Sequence, residues 1–291
     1  MTTPASTVPA ITAPAHVSSG VAFRALLLRD AFVLRKNLRE FLPRTILQPL
    51  LLVFVFTYVF PKIGQGVGGA GGEAEFSTML VGGAGGEAEF STMLVAGVLA
   101  SVILFQGIQS VALPMVQEFG YTREIEDRVL APLPLELVGA EKIVAGALQC
   151  LFSALIVFPI ATFVPATPVH LQVDWLVLLT IAPLACVMSA SLGLMFGTLF
   201  DPRTVPLLFG IVVIPLTFLG CIYFPWAQLE SIRWLQILVL VNPLVYMSEG
   251  FRAALTPVHH MSLWAIYPVL LGFTMVFTAL GLRTFRNRVL R

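Results

Sequence analysis

The sequence is 291 residues long, with 57% hydrophobic and only 11% charged residues. Soluble domains carry about 25% charged residues, so this composition excludes an ordinary soluble fold and indicates a membrane protein. The formal net charge of +1 favours no particular class of partner, and we expect no nucleic acid among the partners. The three cysteines stand singly in apolar runs, which disfavours a metal site or a disulfide.

The N-terminal part divides into a polar tail and an amphipathic stretch. Residues 1–20 are rich in Thr, Pro, Ala and Ser, which predicts a disordered cytosolic tail ahead of a single transmembrane domain over residues 21–291. Apolar side chains then recur at steps of three and four residues: Phe23, Leu27, Ala31, Leu34, Leu38 and Phe41. This pattern, flanked by arginines, predicts a helix lying on the inner membrane surface. The alternative is a basic leader that only fixes the topology.

Stretches of about 20 apolar residues cross a bilayer as helices. Six candidates follow along the chain, at residues 45–60, 93–116, 143–164, 175–200, 205–224 and 263–282. With the N-terminus inside, 14 of the 17 Lys and Arg residues lie on the cytosolic side of these spans. Because cytosolic loops carry the excess of positive charge, we predict six spans with both termini in the cytosol. All four tryptophans then fall on the outer side, as an interfacial aromatic belt would.

The first outer loop contains an identical tandem repeat. The sequence GGAGGEAEFSTMLV occurs at residues 68–81 and again at residues 82–95. Repeat architectures need three or more stacked units, so this pair indicates a recent duplication or a cloning artefact. Only the second copy continues into an apolar run, and we expect it to supply the start of the second span.

Residues 117–142, between the second and third spans, carry six acidic and three basic residues between two uncharged runs. Glu124 and Arg128 lie four residues apart, which supports a short helix, and the prolines that follow end it. A short charged helix at this place predicts a docking site; the alternative is a solvated loop. The predicted docking residues are Arg123, Glu124, Ile125, Asp127, Arg128, Val129 and Pro132.

After the fifth span, prolines break residues 225–256 into pieces that are too short to cross a bilayer. Two short helices that enter the outer leaflet and return fit this pattern, because a seventh span would place the basic C-terminus outside. Glu249 and Arg252 lie at i,i+3, which predicts a mutual ion pair; a role in closing an outer gate is the alternative. The motif residues of this re-entrant segment are Asn242, Pro243, Tyr246, Glu249 and Arg252.

The source of energy for any transport lies outside this sequence. The predicted spans carry no Asp, Glu, Lys, Arg or His in their interiors, which disfavours a proton-driven transporter or an intramembrane protease. The sequence also lacks a GxxxxGK[ST] phosphate loop. The driving force must therefore come from elsewhere.

Two motifs and the topology together carry a resemblance to a known family. REIEDRVLAPLP at residues 123–134 is similar to a charged helix followed by a Leu-Ala/Thr-x-Pro stretch. NPLVYMSEGFRAAL at residues 242–255 is similar to an Asn-Pro-Leu signature that precedes a last span. With the amphipathic helix before the first span, these features resemble the type-2 permease subunits of ATP-binding-cassette exporters, over about residues 23–291. The duplicated loop departs from the family pattern.

The resemblance implies an all-α fold and a set of partners. The fold would have six transmembrane helices, an N-terminal interfacial helix, a cytosolic coupling helix between spans two and three, and short re-entrant outer helices between spans five and six. The chain would be a non-enzymatic export subunit in the plasma (inner) membrane of a prokaryote. It would bind no cofactor itself, because separate ATPase subunits would bind ATP and Mg²⁺. A second permease subunit and membrane lipids would be its other partners.

The implied transport path runs between two permease subunits, along spans two and five. Candidate lining residues, for which a lipid-facing or packing role is the alternative, are Phe105, Gln106, Gln109, Thr217 and Phe218. A path without charges suits a hydrophobic or amphipathic drug or lipid. Two alternatives remain open: a permease of the same fold for a lipid-linked polysaccharide or glycolipid, and a membrane scaffold that recruits a different cytosolic protein through residues 117–142.

Overall fold

The computed structural model describes residues 18–54, 86–122, 134–163, 171–200, 204 and 209–290. The N-terminal elements are α1 (Ser19–Lys36), α2 (Leu38–Phe54), α3 (Gly86–Gln117), a π turn (Glu118–Thr122), α4 (Leu135–Phe163) and α5 (Trp175–Leu199). The C-terminal elements are a second π-helical turn (Phe209–Val213), α6 (Ile214–Phe218), a 3-10 helix (Trp226–Ile232), α7 (Arg233–Leu238), a 3-10 turn (Val239–Val241), α8 (Pro243–Leu255) and α9 (Leu263–Val289). No β-strand occurs among the described residues, so the all-α prediction is confirmed for this part of the chain.

Four helical stretches are long and apolar enough to cross a bilayer: Thr92–Gly120, Leu135–Ile160, Trp175–Leu199 and Leu263–Val289. They coincide with the predicted second, third, fourth and sixth spans. A further pair, Trp226–Val241 and Pro243–Leu255, passes the same test but is bent by 101°, as in a broken span or a re-entrant loop. The described residues therefore hold four or five candidate spans, while the predicted first and fifth spans lie only partly within them.

Two helices extend further than the sequence predicted. α4 begins at Leu135 rather than at Ile143, so Lys142, which we expected in a loop, lies in its third turn. α9 continues to Val289 through the basic residues that follow position 282. Hydropathy marks only the part of a helix that sits in lipid, and Leu, Glu, Ala, Lys and Arg all favour continuing the helix beyond it. Both helices therefore project past the predicted membrane boundary.

The start of α3 lies in the second copy of the tandem repeat. The helix begins at Gly86 and runs without a break into the apolar stretch, as expected for the copy that is adjacent to the span. The first copy, at residues 68–81, lies outside the described residues.

α3 is the central helix, and it packs most extensively against α5. Small residues make the close approach possible. A Cβ added at Gly107 would lie 2.4 Å from the Cβ of Ser189, and one added at Gly193 would lie 2.7 Å from the carbonyl oxygen of Ile108. Small residues at helix interfaces are the usual device by which helices associate within a membrane. α3 and α5 thus form the rigid centre of the bundle.

α1 has two apolar faces, and the fold covers the one that we expected to touch lipid. Phe23, Leu27 and Leu34 of the predicted stripe are half-buried, and Asp30 on the same side reaches Lys142 of α4. Large side chains on the opposite face are exposed: Val21, Leu28 and Phe32. The periodicity located an apolar face correctly, but it could not show that the rest of the protein packs against that face.

Candidate functional site

Asn242 starts α8 and joins it to α6. Its Oδ1 accepts a hydrogen bond from the amide of Leu244 at 3.0 Å, and Pro243 occupies the first helical position. Asparagine is a preferred capping residue, and proline suits the first turn because that turn needs no amide donor. The Nδ2 of Asn242 donates to the carbonyl of Leu216 at 2.6 Å. One side chain therefore fixes the start of α8 relative to the end of α6.

Glu249 and Arg252 form the predicted ion pair, and both are buried. Nη1 of Arg252 lies 2.7 Å from Oε1 of Glu249, and the two side chains are 0% and 1% exposed. Glu249 also accepts the amide of Trp226 on Oε1 and the amide of Met261 on Oε2, both at 2.8 Å. A buried carboxylate is tolerated when its oxygens are hydrogen-bonded in this way. The pair joins α8 to the 3-10 helix and to the chain that leads into α9.

Arg252 also donates hydrogen bonds to the backbone of residues 220–222, which is not helical. Nη2 of Arg252 donates to the carbonyls of Cys221 and Ile222, and the hydroxyl of Ser248 donates to the carbonyl of Gly220 at 2.9 Å. Cys221 has a positive φ of 52°, so the chain cannot continue as a helix there. Irregular backbone within a membrane protein persists only where the protein supplies partners for its carbonyls. Arg252 and Ser248 supply them here.

We define the α8 cluster as the side chains that make these contacts: Asn242, Tyr246, Ser248, Glu249 and Arg252. The hydroxyl of Tyr246 donates to the carbonyl of Leu240 at 3.1 Å and completes the set. The fold thus brings the predicted motif residues of the re-entrant segment together. Sequence reasoning missed Ser248 and the contacts to the 220–222 carbonyls, because backbone acceptors leave no residue pattern to detect.

The α8 cluster lies directly against α3. A Cβ added at Gly97 of α3 would lie only 2.1 Å from the carbonyl oxygen of Ile222, so this position accommodates only glycine without a shift of the backbone. The same carbonyl accepts from Arg252 at 3.1 Å. The irregular 220–222 backbone is therefore enclosed between the central helix and the ion pair.

The candidate path residues lie on two elements. Phe105, Gln106 and Gln109 are half-buried on α3, a helix whose other faces are largely covered. On α6, the hydroxyl of Thr217 donates to the carbonyl of Val213 at 2.7 Å, and the ring of Phe218 is 67% exposed. Glutamine side chains on the less covered face of a central membrane helix suit a polar neighbour better than lipid.

The predicted docking residues, positions 123–132, lie outside the described residues, but the helices on either side carry a buried charged cluster. Nζ of Lys142 in α4 lies 2.8 Å from Oε1 of Glu118 in the π turn and 3.2 Å from Oδ2 of Asp30 in α1. The Lys142 and Glu118 side chains are 5% and 7% exposed. We call residues 123–133 the docking segment. Through these contacts, Lys142 connects α4, which follows the docking segment, to the π turn ahead of that segment and to α1.

The arrangement is that of a membrane protein: the described residues form a bundle of long apolar helices with one bent pair. The sequence profile of the ABC-2 type transporter family matches residues 21–256, which include all but the first two residues of α1 and every element from α2 to α8. The chain therefore belongs to the ABC-2 type transporter family.

The chain also resembles curated members of that class. It is 30% identical over 161 residues to the inner membrane transport permease YadH of Escherichia coli strain K12, and the same figures hold for YadH of Escherichia coli O157:H7 and of Shigella flexneri. The alignment takes in 54% of this chain and 60% of the relative. The chain therefore spans less than two thirds of the length of these relatives.

Proposed function

We propose that this chain is the membrane-spanning subunit of an ATP-binding-cassette exporter that uses ATP hydrolysed by a separate ATPase subunit. The observation that carries the proposal is the family match over residues 21–256 in a sequence that has no phosphate loop of its own. We further propose six spans with both termini in the cytosol, as the distribution of Lys and Arg favours. The names of the relatives support the inner membrane of a prokaryote as its location.

The ATPase would dock on the docking segment, through Glu124, Arg128 and their neighbours. Closure of an ATPase pair on ATP and Mg²⁺ would displace that segment. The buried Lys142–Glu118 pair supports this account, because it joins the π turn ahead of the segment to α4 after it, with Nζ of Lys142 2.8 Å from Oε1 of Glu118. A displacement would then move α3 and α4 as packed bodies rather than bend a loose loop.

The cargo would be a hydrophobic or amphipathic molecule such as a drug or lipid. The six spans predicted from the sequence carry no Asp, Glu, Lys, Arg or His in their interiors, and charged cargo would need charged partners there. The path would lie between this chain and a second permease subunit, identical or related, along the less covered face of α3 with Gln106 and Gln109. The α8 cluster would close the outer side of that path, because its contacts fix the backbone where the bent pair meets α3.

The test is purification of the tagged chain from its native membrane. We expect an ATPase with a phosphate loop to copurify, and we expect the double variant Glu124→Arg/Arg128→Glu to lose that ATPase while it still inserts. The control is the equivalent exchange of Glu230 and Arg233, two exposed residues at i,i+3 in the outer segment, which should retain the ATPase. Copurification of a different cytosolic protein in place of the ATPase would instead establish a scaffold and contradict the proposal.

A further inference from the structure

The end of α9 contacts the protein on both sides of the docking segment. Ahead of the segment, the buried ring of Phe285 lies edge-on to Phe119 in the π turn, with the ring centroids 6.2 Å apart. After the segment, α4 approaches α9 so closely that a Cβ at Gly139 would lie 2.7 Å from Cδ2 of Leu282. The described residues on either side of the docking segment therefore contact the same turns of α9.

Arg288 joins these contacts to the end of α5. Its guanidinium carbon lies 5.0 Å from the centroid of the Phe119 ring, within the range of a cation–π interaction. Its Nη1 donates to the carbonyl of Thr198 at 3.0 Å and also to the carbonyl of Phe200. The last carbonyls of a helix lack intrahelical partners and carry the negative end of its dipole, so a guanidinium is a well-matched partner for them.

Hydroxyl pairs hold α9 against α5 along their whole contact. Ser191 and Thr278 lie 2.8 Å apart, Thr198 and Thr284 lie 2.7 Å apart, and a third pair joins Thr180 to Tyr267. Hydrogen bonds between membrane helices, together with the extensive packing of these two, make them a single body. A force applied at the end of α9 would therefore move α5 as well.

We propose that Arg288 is a positioning residue for coupling. Its contacts make the π turn ahead of the docking segment move together with α5 and α9. Phe119 is the contact on one side, and the Thr198 and Phe200 carbonyls are the contacts on the other. The inference rests on the proposed function, since the docked ATPase supplies the displacement. It adds a second route through the bundle besides the Lys142–Glu118 pair, which leads to α1 and α4.

The experiment follows one distance in the complete complex with its copurified ATPase, reconstituted in lipid nanodiscs. Spin labels are placed on Gly120→Cys in the π turn and Leu199→Cys at the end of α5, both of which are exposed. The three native cysteines are free but buried, so they do not compete for the label. Pulsed electron resonance measures the separation without nucleotide and with ATP and vanadate.

With Arg288 intact, we expect the same separation in both states, because the two positions move as one body. In Arg288→Gln, we expect ATP and vanadate to shift the separation by about 2 Å or more, the size of a helix displacement in switching proteins. Arg283→Gln, a change at an exposed arginine on the same helix, should match the unmutated protein, and Arg288→Lys should restore much of the coupling. If Arg288→Gln is not recovered from the membrane, Phe119→Leu tests the same contact.

The outcomes separate the two proposals. The distance between the two labels could stay the same with and without nucleotide in both Arg288→Gln and Phe119→Leu, with the ATPase still bound. That result overturns the role of Arg288 and leaves the proposed function standing. Absence of an ATPase from the unmutated complex overturns the proposed function itself.

Discussion

Arg252 and Glu249 form an ion pair at 2.7 Å in which neither side chain is more than 1% exposed. Four segments meet at this pair: the irregular 220–222 backbone, the 3-10 helix, α8 and the residues before α9. Because both charges are shielded, each depends on the other and on backbone partners to remain buried. The pair is therefore the contact on which the geometry of the bent segment depends.

Removal of the cation should destabilise the protein strongly. Arg252→Met leaves the Glu249 carboxylate buried without its counter-ion and leaves the Cys221 and Ile222 carbonyls without a donor, and such a loss costs about 3–5 kcal/mol. We expect a large drop in the Tm measured in detergent by intrinsic fluorescence. Arg233→Met, at an exposed arginine on α7, is the matched control and should leave the Tm nearly unchanged. Equal Tm values for the two variants would show that the buried pair does not hold the segment.

The two roles of Asn242 can be separated by two substitutions. Asn242→Ser keeps an oxygen that can cap α8 but loses the donor to Leu216, whereas Asn242→Ala loses both. Loss of a helix cap costs about 0.5–2 kcal/mol. We therefore expect the Tm to fall in the order native, Ser, Ala. A Tm for Asn242→Ser as low as that of Asn242→Ala would show that the cap contributes nothing and that the contact with α6 alone matters.

Gly97 should tolerate no side chain. A methyl group there would meet the Ile222 carbonyl at 2.1 Å, and because that atom belongs to the backbone the conflict cannot be relieved by a rotamer change. Overpacking of this kind costs about 1–3 kcal/mol. Gly97→Ala should lower the Tm, whereas Gly272→Ala in α9, where nothing lies within 4 Å, should leave it unchanged or slightly raised. A stable Gly97→Ala protein would contradict the close contact between α3 and the α8 cluster.

The exposed face of α1 should contact lipid. Phe32 is 67% exposed, and arginines lie on either side of this face, a pattern typical of interfacial helices. A spin label at Phe32→Cys should be reached by dissolved oxygen more readily than by an aqueous nickel chelate, and a label at Arg35→Cys should show the reverse. Preferential access of the chelate to position 32 would place this face in water instead.

The sequence was sufficient for the helical class, for four of the spans and for the ion pair. Each of these leaves a local pattern: an apolar run for a span, and an i,i+3 spacing for Glu249 and Arg252. The proline at position 243 likewise marked the bend in the chain correctly. Local chemistry therefore predicted which residues of the α8 cluster belong together.

The remaining contacts could not be predicted because they join residues far apart in the chain. Lys142 lies beside Asp30, more than a hundred positions away, and Arg288 contacts the Thr198 carbonyl from the other end of the protein. The spacing of these residues in the sequence does not indicate either contact. The Thr198 acceptor is also a backbone carbonyl, a group that every residue has. The covered face of α1 follows from the same cause, since it is the packing of α4, distant in the chain, that covers it.

Photo-cross-linking from the docking segment asks whether an ATPase touches this chain at the predicted place. A photoreactive amino acid is introduced at Ile125, and for comparison at Trp264, which is 92% exposed near the opposite end of α9. We expect irradiation of intact membranes to join position 125, but not position 264, to a protein that carries a phosphate loop. Absence of that adduct from position 125, or its formation equally from position 264, would show that no ATPase docks on this segment.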